Sequence, residues 1–179
     1  MDILLQQLIN GLVLGSIYAL VALGYTMVYG ILGLINFAHG DVVMIGALVS
    51  LTVSQALAAA GLPAPVALAG ALVAAMIVCG ALGYGIERVA YRPLRKAPRL
   101  APLITAIGIS ILVQYSAALI WGKQYISMPA IVVPSQIEFA GAQVTDLQVF
   151  IFVLACALMA ALLTFVQRSR IGCAMRATE

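Results

Sequence analysis

Long apolar runs, separated by short polar or proline-bearing segments, set the pattern of this chain. They cover roughly residues 7–29, 42–60, 65–86, 102–121 and 147–167, each close to the ~20 residues a helix needs to cross about 30 Å of hydrocarbon. A backbone in lipid has no water to bond, and a helix satisfies its own N–H and C=O groups within one segment. The pattern therefore predicts an all-α fold: a polytopic transmembrane helix bundle of five spans, read as a single domain over 1–179. Gly61-Leu62-Pro63-Ala64-Pro65 predicts a tight turn between the second and third spans, because the prolines stop helix continuation. The alternating run Gln136-Ile137-Glu138-Phe139 predicts a small hairpin with Gly141 at its turn.

Small residues recur on two helix faces. Gly11, Gly15 and Ala19 form a short stripe, and Ala67, Ala71, Ala75, Cys79 and Gly83 a longer one. Small residues let membrane helices approach closely, and in lipid association is driven by packing. The longer stripe predicts a helix–helix interface; the shorter one could equally be the chance product of an alanine-rich sequence. Tyr18, Tyr25 and Tyr29 share one face of the first helix, as packing or seam residues.

Between the first two spans lies Gly33-Leu34-Ile35-Asn36-Phe37-Ala38-His39-Gly40-Asp41, which holds the only histidine of the chain and, apart from Asp2, the only charge among the first sixty residues. One reading makes Asp41 the N-cap of a helix starting at Val42, with His39 a wetted loop residue. The other makes the segment an interrupted helix lining a translocation path, where polar groups at membrane depth are solvated. The candidate path residues are Asn36, His39 and Asp41.

Composition narrows the class. Of 179 residues 64% are hydrophobic and only 8% charged, with a mean hydropathy of +1.14, whereas soluble domains carry about 25% charged residues. This is a multi-pass membrane protein whose first partner is the lipid bilayer. The net charge of +3 is unevenly placed: Arg88, Arg92, Arg95, Lys96 and Arg99 crowd one loop, and Arg168, Arg170 and Arg176 lie in the tail. By the positive-inside rule both segments are cytoplasmic and the 122–146 loop is external, with Trp121 and Tyr125 in the interfacial belt. Counting back puts the N-terminus outside and the polar break towards the cytoplasm. Met1-Asp2-Ile3 has no basic flank, so the first helix is expected to be retained.

No nucleophile elbow, phosphate-binding glycine loop or zinc-ligand spacing is present. The reading is therefore not an enzyme: no catalytic residues, no metal and no cofactor. Cys79, Cys156 and Cys173 read as packing residues. The basic clusters do not sit on a soluble module, so no nucleic-acid partner is expected. Spans beyond residue 42 hold no Asp, Glu, Lys, Arg or His in their interiors, which argues against ion coupling. Energy then comes from a partner, or the protein is a passive pore.

The stretch Gly33 to Asp41, followed by Met44-Ile45-Gly46-Ala47, resembles the signature of LivH-type permeases of branched-chain amino acid ABC importers. Gln7 to Leu12, Gly15 to Gly24, Glu87 to Arg95 and Leu103 to Gly108 are similar to the same family, so the resemblance covers nearly the whole chain. It implies a permease subunit of the bacterial inner membrane that hydrolyses nothing itself. Its partners would be a second permease subunit, two ATPase subunits and a periplasmic substrate-binding protein. A related branch with a similar motif moves urea or short-chain amides, which is the alternative substrate class. The resemblance also implies that the segment from Arg170 through Gly172 and Arg176 to Glu179 begins a cytoplasmic helix that docks on the ATPase. Family members continue with further helices, so this chain is expected to be the N-terminal part of a longer domain.

Overall fold

The computed structural model describes residues 2–32, 36–98, 100–124, 126–127, 135–139 and 142–168. Among the described residues, five helices are long and apolar enough to cross a membrane: α1 Asp2–Leu32, α2 His39–Ala59, α3 Ala64–Ile86, α4 Leu100–Trp121 and α5 Asp146–Arg168. The five-span helical architecture expected from hydropathy is the one the chain adopts. Large apolar side chains face outward along the spans, Leu119 being 87% exposed and Ile3 81% exposed. Such a surface suits hydrocarbon or neighbouring helices, since a soluble domain rarely exposes apolar patches of this extent. The chain divides into two compact units, Met1–Gly33 with Val133–Glu179, and Leu34–Val132.

In the first unit, β1 Gln136–Phe139 pairs antiparallel with β2 Ala142–Thr145, Gln136 facing Thr145 and Phe139 facing Ala142. This is the hairpin the alternating run predicts; Gly141 lies outside the described residues, as does Tyr125. Polar side chains of α1 hold the hairpin. The Gln143 N–H donates to Gln6 Oε1 at 2.8 Å, and Gln6 Nε2 returns a bond to the Gln143 carbonyl at 3.0 Å. One glutamine thus caps a strand much as a neighbouring strand would. Gln148 of α5 donates to Asn10 Oδ1 at 3.1 Å. These bonds anchor the polar residues near the start of α1 to protein.

In the second unit, α2 ends by glycine chemistry, not by proline. Gly61 has φ +81, its N–H bonds the Ala58 carbonyl at 3.0 Å, and the Leu62 N–H bonds the Leu57 carbonyl at 3.2 Å. This is the left-handed C-terminal motif that satisfies otherwise orphaned carbonyls. The prolines act on the following helix instead. Pro63 is extended at φ −62 and ψ 146, and Pro65 falls in the first turn of α3, where no N–H is needed. α2 and α3 then pack closely. Ala67, Ala71 and Ser54 are fully buried. A Cβ built on Gly46 would lie 3.0 Å from Cys79 Sγ, and one on Gly70 would lie 2.7 Å from Leu57 Cδ1.

The longer small-residue stripe is therefore packed from Ala67 to Cys79, while Gly83 is open; Gly11 and Gly15 of the shorter stripe meet nothing within 4 Å. Ile45, Val113 and Ala117 make a further apolar cluster between α2 and α4.

The segment expected to be a basic loop from residue 87 is helical at first. A π-helical turn, Glu87–Tyr91, continues α3 directly, and a 3-10 stretch, Arg92–Lys96, follows it. No glycine interrupts Glu87-Arg88-Val89-Ala90-Tyr91. The chain leaves the helix at Ala97, extended at φ −83 and ψ 160, because the residue before a proline avoids helical backbone. Arg88 donates to the Tyr84 hydroxyl at 2.6 Å, with its guanidinium carbon 5.8 Å from the ring centroid.

The α2–α3 contact sets a measurable stability. Gly46→Val should lower the thermal midpoint of the full-length protein in detergent, at a cost of about 1–3 kcal/mol from overpacking. Cys79→Ala in the same chain should recover part of that loss.

Candidate functional site

The first turn of α2 begins at His39, with Ala38 as N-cap at φ −77 and no side-chain capping bond. Asp41 is therefore not the N-cap of a helix starting at Val42. It lies inside the first turn, where the partial positive charge of the helix end favours a carboxylate. The cause is Asn36, which turns the backbone earlier than an aspartate cap would. Its Oδ1 accepts the Ala38 N–H at 3.1 Å, and its carbonyl accepts the His39 N–H at 3.1 Å. An asparagine bonding its own backbone two residues on is a standard chain reversal. The Ala38 carbonyl then receives the Val42 N–H at 3.1 Å and the helix is under way. Gly33, Leu34 and Ile35 lie outside the described residues.

Two other elements reach this turn. The Tyr91 hydroxyl, from the π-helical turn, donates to Asn36 Oδ1 at 2.9 Å, and Tyr91 is 8% exposed. Gln114 of α4 donates its amide to Asp41 Oδ1 at 2.8 Å, and the same nitrogen approaches Ser110 Oγ at 3.2 Å. Asp41 is 7% exposed. A carboxylate taken from water this completely costs several kcal/mol unless hydrogen bonds and local dipoles compensate. Here a neutral amide and the helix N-terminus both contribute that compensation. His39 is half-buried in the same turn; two positions from Asp41 on a helix, the two side chains do not share a face.

Of the residues singled out by sequence, Asn36, His39 and Asp41 thus lie together, with Asn36 and Asp41 each held by a different neighbour. Arg170, Gly172, Arg176 and Glu179 lie outside the described residues. Sequence reading missed Tyr91 and Gln114. Tyr91 stood among arginines that looked purely topogenic. Gln114, by contrast, left a usable signal: a carboxamide well inside an apolar span, four residues after Ser110, is costly in lipid without a partner.

A family described as the permease component of the branched-chain amino acid transport system matches residues 7–179. The chain is 47% identical to the high-affinity branched-chain amino acid transport system permease protein BraD of Pseudomonas aeruginosa, over 97% of this chain and 58% of that protein. It is 45% identical to the permease protein LivH of Salmonella typhimurium and 44% identical to LivH of Escherichia coli K12, with the same coverage in both. The chain thus spans 58% of the length of these curated relatives. No solved structure matches it.

The Tyr91–Asn36 bond is testable alone. Tyr91→Phe should destabilise the full-length protein by about 0.5–1.5 kcal/mol, the worth of one neutral hydrogen bond. Asn36→Ala added to it should cost less than the two separate losses combined, since the two residues share the contact. Thermal denaturation of the four proteins of that cycle reads both.

Proposed function

The chain belongs to the family of branched-chain amino acid transport permease components, and from that premise we propose that it forms the N-terminal part of a membrane-spanning subunit importing branched-chain amino acids. The observation that carries the reading is the family match over residues 7–179, which includes the polar turn at the start of α2. The names of its relatives favour branched-chain amino acids over urea or short-chain amides.

In this reading the permease does no chemistry. ATPase subunits on the cytoplasmic side drive it, a second permease subunit completes the path, and a periplasmic binding protein delivers the solute. The location is the bacterial inner membrane, with the N-terminus outside and the basic segment at Arg88 and Arg92 inside. Support for this orientation comes from the excess of Lys and Arg in the 87–101 segment. Asn36, His39 and Asp41 line the path. They are polar groups gathered where a helix starts, an arrangement that transporters use to solvate a solute at membrane depth. The segment carrying Arg170, Gly172, Arg176 and Glu179 receives the ATPase.

Uptake into vesicles holding the full-length permease with its ATPases and binding protein tests the reading. Leucine should accumulate only with internal ATP. Gly172→Val or Arg176→Ala should lower that uptake about tenfold or more, corresponding to at least ~1.4 kcal/mol of lost coupling, without changing the amount of permease in the membrane. Leucine entering equally well without ATP would indicate a passive pore and defeat the proposal.

A further inference from the structure

Two hydrogen bonds fix the level at which α2 runs beside α4. Near the start of α2, Asp41 takes the Gln114 amide at 2.8 Å; further along, Thr52 Oγ1 takes the Trp121 indole N–H at 2.8 Å. Both residue numbers rise together, so the two helices run parallel. From Leu100 to Gln114, α4 covers ~21 Å at about 1.5 Å per residue, and from Gln114 to Trp121 a further ~10 Å. No charged residue interrupts α4. The Asp41–Gln114 bond therefore lies along the apolar length of α4 and not at either of its ends.

The α3 side agrees. Cys79 Sγ lies 3.4 Å from the Val42 carbonyl, and helical backbone runs on from there through Tyr91 to Lys96. A buried polar first turn between apolar helices needs protein to hold it. The holding group on α4 is an amide, which donates a hydrogen bond without cancelling the charge. A lysine or arginine would close the site as an ion pair.

Resting on the permease reading above, we infer that Gln114 is a positioning residue of the transport path. It fixes Asp41, and with it the first turn of α2, against α4. Gln114 and Ser110, backed by the buried Asp41, then form one polar wall, past which a zwitterionic amino acid moves.

The test uses the full-length permease reconstituted with its ATPases and binding protein. Gln114→Leu should lower the maximal rate of ATP-driven leucine uptake about tenfold, as expected for losing a hydrogen bond to a charged group, with the amount of assembled complex unchanged. Gln114→Glu, which sets two carboxylates face to face, should do the same at neutral pH. Adding Asp41→Asn to it restores one amide and one carboxylate and should return most of the rate. Unaltered kinetics in Gln114→Leu, or a double variant no better than Gln114→Glu alone, overturns the inference.

A second measurement decides the matter if the Gln114 variants fail to assemble. In a full-length chain freed of its other cysteines, Ser110→Cys should react with a small water-soluble thiosulfonate, whereas Leu112→Cys, on the opposite, exposed apolar face, should not. Equal reactivity at the two positions removes the polar wall. Absence of leucine uptake by the unaltered complex would instead sink the permease reading itself, so the two failures are told apart.

Discussion

Hydrocarbon offers no hydrogen-bond partner, and that single deficit organises this chain. Each polar group within a span must find its donor or acceptor in protein. Ser16, Thr26, Thr52, Ser54, Thr105, Ser116 and Thr164 do so locally, each bonding a carbonyl three or four residues back in its own helix. Groups too long or too charged for that solution reach across to another element. The cross-chain bonds of Gln6, Asn36, Gln114, Trp121 and Gln148 are therefore the specific part of the fold, and the apolar remainder is comparatively permissive.

Close packing makes those bonds possible. The Cys79 sulfur can approach the α2 backbone only because Gly46 faces it and the buried positions at Ala67 and Ala71 carry single methyl groups. In lipid this approach yields dispersion contacts over a long seam and little else. Small side chains thus set the distance between α2 and α3, and the polar bonds set their register. The polar turn at Asn36 inherits both settings.

Five helices, their approximate limits and the hairpin were legible in the sequence because hydropathy over twenty residues and strict alternation are strong, local signals. The long stripe was legible for the same reason, as a spacing. What eluded it were events decided by non-local partners. Asp41 has the composition of an N-cap, yet Asn36 starts the helix first. Glu87 to Tyr91 has the charge of a loop, yet nothing in it breaks a helix until a proline intervenes. Tyr91 and Gln114 lie 55 and 73 residues from the groups they bond. No local pattern announces such a pairing; only the cost of leaving an amide alone in lipid hints at it.

The π-helical turn at Glu87–Tyr91 has a consequence for how the end of α3 tolerates change. Such a turn holds one residue more than the α-helical turn it replaces. It therefore shifts the angular phase of everything after it by most of a third of a revolution. Tyr91 points at Asn36 because of that phase. The same twenty-odd residues wound as an unbroken α-helix would carry the ring to another azimuth, with sequence and length untouched. The Tyr91–Asn36 bond therefore reports on the winding of this one turn, and any change that regularises it forfeits that bond.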